Sequence, residues 1–372
     1  MQVNQTIRVR DAIEVLEAWA PLVLQESYDN SGLLVGDREA EVTSVLVSLD
    51  CTEEVVAEAV EQGANLIVSH HPIVFNGLKR LTGSTYVERT VMAAIRNGIQ
   101  LYAIHTNLDN VSDGVNQRLA ALAGCTQESQ RILRPKASVL MQLVVYVPQD
   151  YAEAVQQAMF DAGAGRIGNY DECGWSVSGQ GTFRPLVGAQ PYTGQIGEHE
   201  RGEEVRLEVV VEPWKLSEVL LAMKAVHPFE EVAHSFWPLE NNLSNIGSGM
   251  VGELPEAISE AAFLDRLKST LSCGALRHTR LLGRSVQKIA VCGGSGSFLL
   301  HDAIRAGADV FVTSDFKYHE FFDADGRIVI ADVGHYESEW QTTDLIVKRL
   351  KEKFPNFVLH LAKANPNPVH YR

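Results

Sequence analysis

Two adjacent histidines, His70 and His71, close the apolar run NLIVS and stand directly before Pro72. A carboxylate, Asp109, ends the next apolar run, IQLYAIHTNLD. Far along the chain RIVIADVG leads to His335, and Glu339 follows four residues later. Imidazole and carboxylate without thiolate are the ligands of zinc, iron or manganese, and residue type alone does not choose among the three. A residue before proline is biased to extended backbone, and neighbouring extended residues point in opposite directions. Two imidazoles so placed flank two metals more readily than they share one. Asp109, at the next strand end, is the carboxylate placed to bridge them. If a helix begins at His335, an i, i+4 spacing puts Glu339 on the same face. Singly, each of these residues has a plain reading: a satisfied core histidine, a capping aspartate, a surface glutamate. Together they predict two divalent metal ions per chain.

The elements that must carry these residues alternate. TSVLVSL (43–49), NLIVS and IQLYAIHTNLD read as strands, and TEEVVAEAVEQG, TYVERTVMAAIRNG and SDGVNQRLAALAG as the helices between them. Strand–helix alternation at this spacing gives parallel βαβ units, whose ligands gather at the carboxyl ends of the strands. Asp50, His70, His71 and the stretch 105–109 all fall there. After residue 136 the pattern changes to β-α-β-β-α-β, with strands at RPKASVLMQLVVYVP, near WSVSG and GTFRP, at RLEVVVEP and at HSFWPLE. Alternation then resumes with KIAVCGGSGSFLLHDAIRAG, DVFVTSD, RIVIADVGH and NFVLHL. The fold class read from this order is α/β. One discontinuous α/β metal-binding domain, residues 1–136 and 241–372, is interrupted at 137–240 by a ferredoxin-like α+β module.

Composition narrows the function classes. The formal net charge is −15, a field that repels nucleic acid. No stretch approaches the roughly 20 apolar residues that span a bilayer, so no membrane is expected. Five scattered cysteines without a C-x-x-C suit a reducing, cytoplasmic setting.

SHHP, IHTNLD, GGSGS, TSDFKYHE, DVGHYESE and the early YDNSGLLVGD together resemble the family named after the Ngg-interacting factor three of yeast, across essentially the whole chain. Its members are often labelled GTP cyclohydrolase 1 type 2 homologs. The long members carry an insert similar to PII and CutA proteins, and HPFEEV (227–232) resembles that insert's HPYEEP-type motif. The resemblance implies a dimetal site on His70, His71, Asp109, His335 and Glu339, with no departure at these five positions, and a ring-shaped homohexamer.

Further candidates surround that set. His105, on the way to Asp109, and His319, in KYHE, are placed to shuttle protons. The GGSGS loop opens a helix, so the backbone of Gly294, Ser295 and Gly296 is expected to hold an anion, although it lacks the full G-x-G-x-x-G and P-loop patterns. Asp50 is placed to support the site. His227, Glu230 and Glu231 read as a second polar group or a solvated loop. The expected function is a metal-dependent hydrolase acting on a nucleotide or another small phosphorylated or cyclic amide substrate. The alternative is a non-enzymatic metal-binding or regulatory protein that senses a small ligand through its insert.

Overall fold

The computed structural model describes residues 6–137, 140–241, 243–364 and 367–372. The chain divides into two compact units, one of Met1–Pro135 with Asn245–Arg372 and one of Lys136–Ser244.

The first unit holds two mixed sheets. In the five-stranded sheet the order is Gly32–Val35, Gln100–Ala103, Leu66–Ser69, Val45–Ser48, Leu359–Leu361. All neighbours in it are parallel except the antiparallel edge strand Gly32–Val35. VLVS and LIVS are buried along their whole length, because helices cover both faces of a parallel sheet. The helix Glu53–Glu61 begins where Thr52 accepts the Val55 amide, and it turns Val55, Val56 and Ala59 into the core. The six-stranded sheet runs Arg277–His278, Val329–Asp332, Val310–Ser314, Ser285–Ser295, Gly247–Ser259, Arg131–Pro135. Its three middle strands Val329–Asp332, Val310–Ser314 and Ser285–Ser295 are parallel.

Two details differ from the sequence reading. The strand expected over 99–109 stops at Ala103, and Asp109 closes a one-turn helix, Thr106–Asp109. Side chains take over the backbone there. Asn107 Oδ1 accepts the His105 amide at 2.9 Å, and Asp29 accepts both the Thr106 amide, at 3.0 Å, and the Thr106 hydroxyl. The helix after GGSGS is also shorter than its pattern suggests. The strand persists through Ser295, a 3-10 turn follows, and only Leu300–Arg305 is α-helical.

The second unit is a four-stranded antiparallel sheet in the order Gly174–Phe183, Glu200–Val211, Leu140–Pro148, His234–Leu239. WSVSG and GTFRP, read separately in the sequence, are largely one strand. Burial alternates along Glu200–Val211 with period two. Val205, Leu207, Val209 and Val211 pack with Val155 and Met159 of helix Ala152–Asp161 and with Val219 and Met223 of helix Leu216–Val226. No helix among the described residues is long and apolar enough to cross a membrane.

Candidate metal centre

Within the first unit, residues beyond the carboxyl ends of the parallel strands of both sheets meet. His70 and His71 follow Leu66–Ser69, and their amides continue the sheet ladder to Ser48 O and Leu49 O. His335 opens the short helix His335–Glu339 behind Gly334, whose φ of +97° lets the chain turn sharply out of its strand. The i, i+4 geometry is realised: His335 Nε2 lies 3.0 Å from Glu339 Oε2.

Glu339 is the centre of the arrangement. Its Oε2 lies 3.0 Å from both His71 Nε2 and His335 Nε2, which are themselves 3.4 Å apart. Its Oε1 faces the other way, 3.9 Å from His70 Nε2, and His70 Nε2 is 3.7 Å from Asp109 Oδ1. The adjacent histidines therefore do not diverge as ideal strand alternation implies. Both rings turn toward Glu339, with centroids 5.0 Å apart, and each addresses a different oxygen.

Each imidazole is held from behind through Nδ1. His70 Nδ1 donates to Ile104 O at 2.8 Å, His71 Nδ1 to Asp50 Oδ1 at 2.8 Å and His335 Nδ1 to Asp315 Oδ2 at 2.6 Å. This is the support that fixes a metal-binding histidine with Nε2 forward. His105, whose ring stands edge-on to His70 and His71 at 5.3 and 5.4 Å, is held the same way by Asp29 at 2.7 Å.

The electrostatics follow from that packing. Full burial pushes His70 down to about 3, so its ring is neutral. Burial also opposes charge on His71 and His335, but the surrounding carboxylates outweigh it. Asp50 and Glu339 lift His71 to about 9, and Glu339 with Asp315 lifts His335 to about 11. Burial and the nearby Glu339 charge raise the Asp109 carboxyl well above its ordinary range. Glu339 is held well below its own range, against burial, by His335 and His71.

A cation fits this donor set. His70 Nε2 and Asp109 Oδ1 are both buried with no hydrogen-bond partner, a costly state for two polar atoms that face each other. Their separation is too long for a hydrogen bond yet short enough for both to touch an ion with bonds of about 2.1 Å. His70, His71 and Glu339 each offer a ligand atom within 4.8 Å of the others and could hold a metal ion.

The GGSGS loop packs against this centre with the amides of both Gly294 and Gly296 already engaged. Gly294 N donates to Ser338 Oγ and Gly296 N to Thr313 Oγ1, while Ser295 Oγ binds Asp315 Oδ2 at 2.7 Å. Two of the three amides expected to hold an anion, those of Gly294 and Gly296, are thus turned inward. What the glycine supplies is space: a Cβ on Gly294 would strike Glu339 Oε1 and sit 3.2 Å from His335 Cε1. His319 is exposed on the 3-10 segment Tyr318–Ala324 and does not line the cavity above the centre. That cavity, about 610 Å³, is lined by His71, His105, His335, Arg277, Tyr336 and Tyr371 among others. In the second unit His227 is a structural pin. Its Nε2 donates to Tyr146 O and its Nδ1 accepts the Phe229 amide. Sequence reasoning missed Asp315 and Asp29. The available signals were an acidic residue directly after the strand VFVTS and an aspartate in YDNSGLLVGD.

Comparison with known proteins places the chain in a family and matches its fold. Residues 7–368 match the family model described as Duf34/NIF3 (NGG1p interacting factor 3). The chain is similar to the GTP cyclohydrolase 1 type 2 homolog of Halalkalibacterium halodurans, 38% identical over 326 residues and 87% of either chain. That of Bacillus subtilis is 36% identical over 333 residues and 89% of either chain. A crystal structure of a Bacillus cereus protein related to NIF3 superposes with a TM-score of 0.84 at 35% identity, covering 99% of this chain and 100% of that one.

Proposed function

The chain belongs to the Duf34/NIF3 family, and from that premise we propose that its centre binds two divalent metal ions and hydrolyses a small phosphorylated, nucleotide or cyclic amide substrate. One observation carries the reading: Glu339 divides its two carboxylate oxygens between two ligand groups. His70, Asp109 and Glu339 Oε1 would hold one ion, and His71, His335 and Glu339 Oε2 the other. Glu339, rather than Asp109, would then be the residue shared by the two groups, and its charge would offset repulsion between the cations. Ions bound there supply Lewis acidity and a nucleophilic water at neutral pH.

The chain's own residues supply the rest. Asp29 fixes the Nδ1–H of His105, leaving Nε2 to accept or return a proton on the cavity side. Arg277 brings a guanidinium to the cavity wall, steadied by Asp332 and Phe316 O, where it can meet a phosphate. A cavity of about 610 Å³ is within the range that encloses small ligands. The second unit, with its β-α-β-β-α-β order, is read as a ferredoxin-like module interrupting this domain.

The test is elemental analysis and turnover on one preparation. Two ions per chain are expected, falling in Asp109→Asn and lost in Glu339→Gln. Metal-loaded protein is screened against nucleotides, phosphoesters and cyclic amides. His105→Ala should lower kcat by about 10²- to 10⁴-fold with metal content unchanged. A single ion per chain would overturn the dinuclear reading. Two ions without turnover of any panel member would favour a regulatory protein.

A further inference from the structure

The HPFEEV segment has no part in the metal chemistry, yet it builds one wall of a cavity inside the second unit. This cavity, about 600 Å³, is lined by Tyr146, Phe183, Tyr192 and Phe229 with the acids Glu204, Glu230 and Glu231. His227 holds the wall in place, tying Tyr146 O to the Phe229 amide through its two ring nitrogens. Phe229 is the middle of the aromatic group: its ring centroid is 6.1 Å from Tyr192 and 6.5 Å from Phe183.

The charges are unbalanced. Glu230 accepts the Gln190 amide at 3.0 Å. Arg206, the one Lys or Arg among the described residues of the lining, is matched by Glu208 at 3.0 Å. Glu204 is half-buried, and its carboxylate has no hydrogen bond or ion pair among the described residues. It lies over Gly181, where a Cβ would collide with its Oε1, so the glycine makes the space this carboxylate occupies. An unmatched carboxylate attracts positive charge, and aromatic faces carry negative potential. Both features favour a positive guest.

We propose that this cavity is a binding site for a small organic cation, an alkylammonium group seated against Glu204 with its carbon body on Phe229 and Tyr192. The site is independent of the metal centre and of the hydrolase reading.

Isothermal titration of the full-length, metal-loaded chain decides the matter. The probes are choline and tyramine, with 3,3-dimethylbutanol as the neutral isostere of choline and 4-hydroxyphenylacetate as the anionic counterpart of tyramine. At least one ammonium is expected to bind at one per chain, and the neutral and anionic compounds at least about tenfold more weakly. Glu204→Gln, which keeps the shape, should weaken binding about tenfold, as should Phe229→Ala. Glu339→Gln should leave it unchanged, which separates this site from amine capture by the metals. Absence of binding by both ammonium probes overturns the proposal. So does equal binding of the neutral isostere, or binding that survives Glu204→Gln.

Discussion

A Gly294→Ala substitution puts a methyl group where the metal centre has no room for one. Gly294 has φ of +59°, so any side chain first incurs the left-handed backbone cost of about 1 kcal/mol. Gly326 has nearly the same φ, +63°, but a Cβ there meets nothing within 4 Å. Gly326→Ala therefore isolates the backbone effect, a fall in Tm of about 2–4 °C for a unit of this size. At Gly294 the new Cβ also overlaps Glu339 Oε1, and the carboxylate must retreat by roughly an ångström to reach ordinary contact. Glu339 is 3% exposed and its Oε2 is engaged 3.0 Å from both His71 and His335, so the retreat disturbs the whole group. Displacements in the support of a metal site typically cost about 10- to 100-fold in affinity, or about 1.4–2.7 kcal/mol. Competition against a chromophoric zinc chelator measures this directly. Gly294→Ala should lose that affinity while Gly326→Ala keeps it. Equal metal affinity in the two variants would refute the view that the glycine exists to admit Glu339.

Three further outcomes follow from the electrostatics and the second unit. In metal-free protein at pH 7 the raised His71 and His335 rings, at about 9 and about 11, are protonated. Ligation expels those protons, so metal affinity should rise from pH 7 to 9, and titrations in buffers of differing ionisation enthalpy should register proton release. Because both values lie above the unfolded value of about 6.5, their stabilisation is complete below that pH and is lost as pH climbs through 9 toward 11. The Tm of metal-free protein should therefore fall over that alkaline window, and proton-neutral metal binding would contradict the assignment. His227→Ala orphans Tyr146 O and the Phe229 amide beside a side chain only 8% exposed. A loss of about 1–3 kcal/mol is expected in denaturant unfolding, with metal content untouched, and an unchanged midpoint would show that the pin is dispensable.

Much of the centre was legible because parallel α/β sheets deliver residues to one place. Once NLIVS, RIVIAD and their neighbours read as buried strands, His70, His71 and His335 had to emerge at carboxyl ends, and a four-residue spacing brought Glu339 onto the face of His335. RLEVVVEP read as a strand from its apolar run, and the structure adds that alternate residues of it are buried. What tertiary structure alone decided was which groups share space across 21 to 268 residues of chain. Asp109 could be anticipated near the histidines but not as the residue closing a helical turn, since Asp29 and Asn107 capture the backbone that the strand pattern left open. The GGSGS loop shows the same limit. Its composition suits an anion cradle or a tight turn equally well, and the choice fell to Ser338 and Thr313, which take two of the amides. Asp315 and Asp29 carry no local mark of function because supporting a histidine needs only a carboxylate at the right distance, and distance is not written in sequence order.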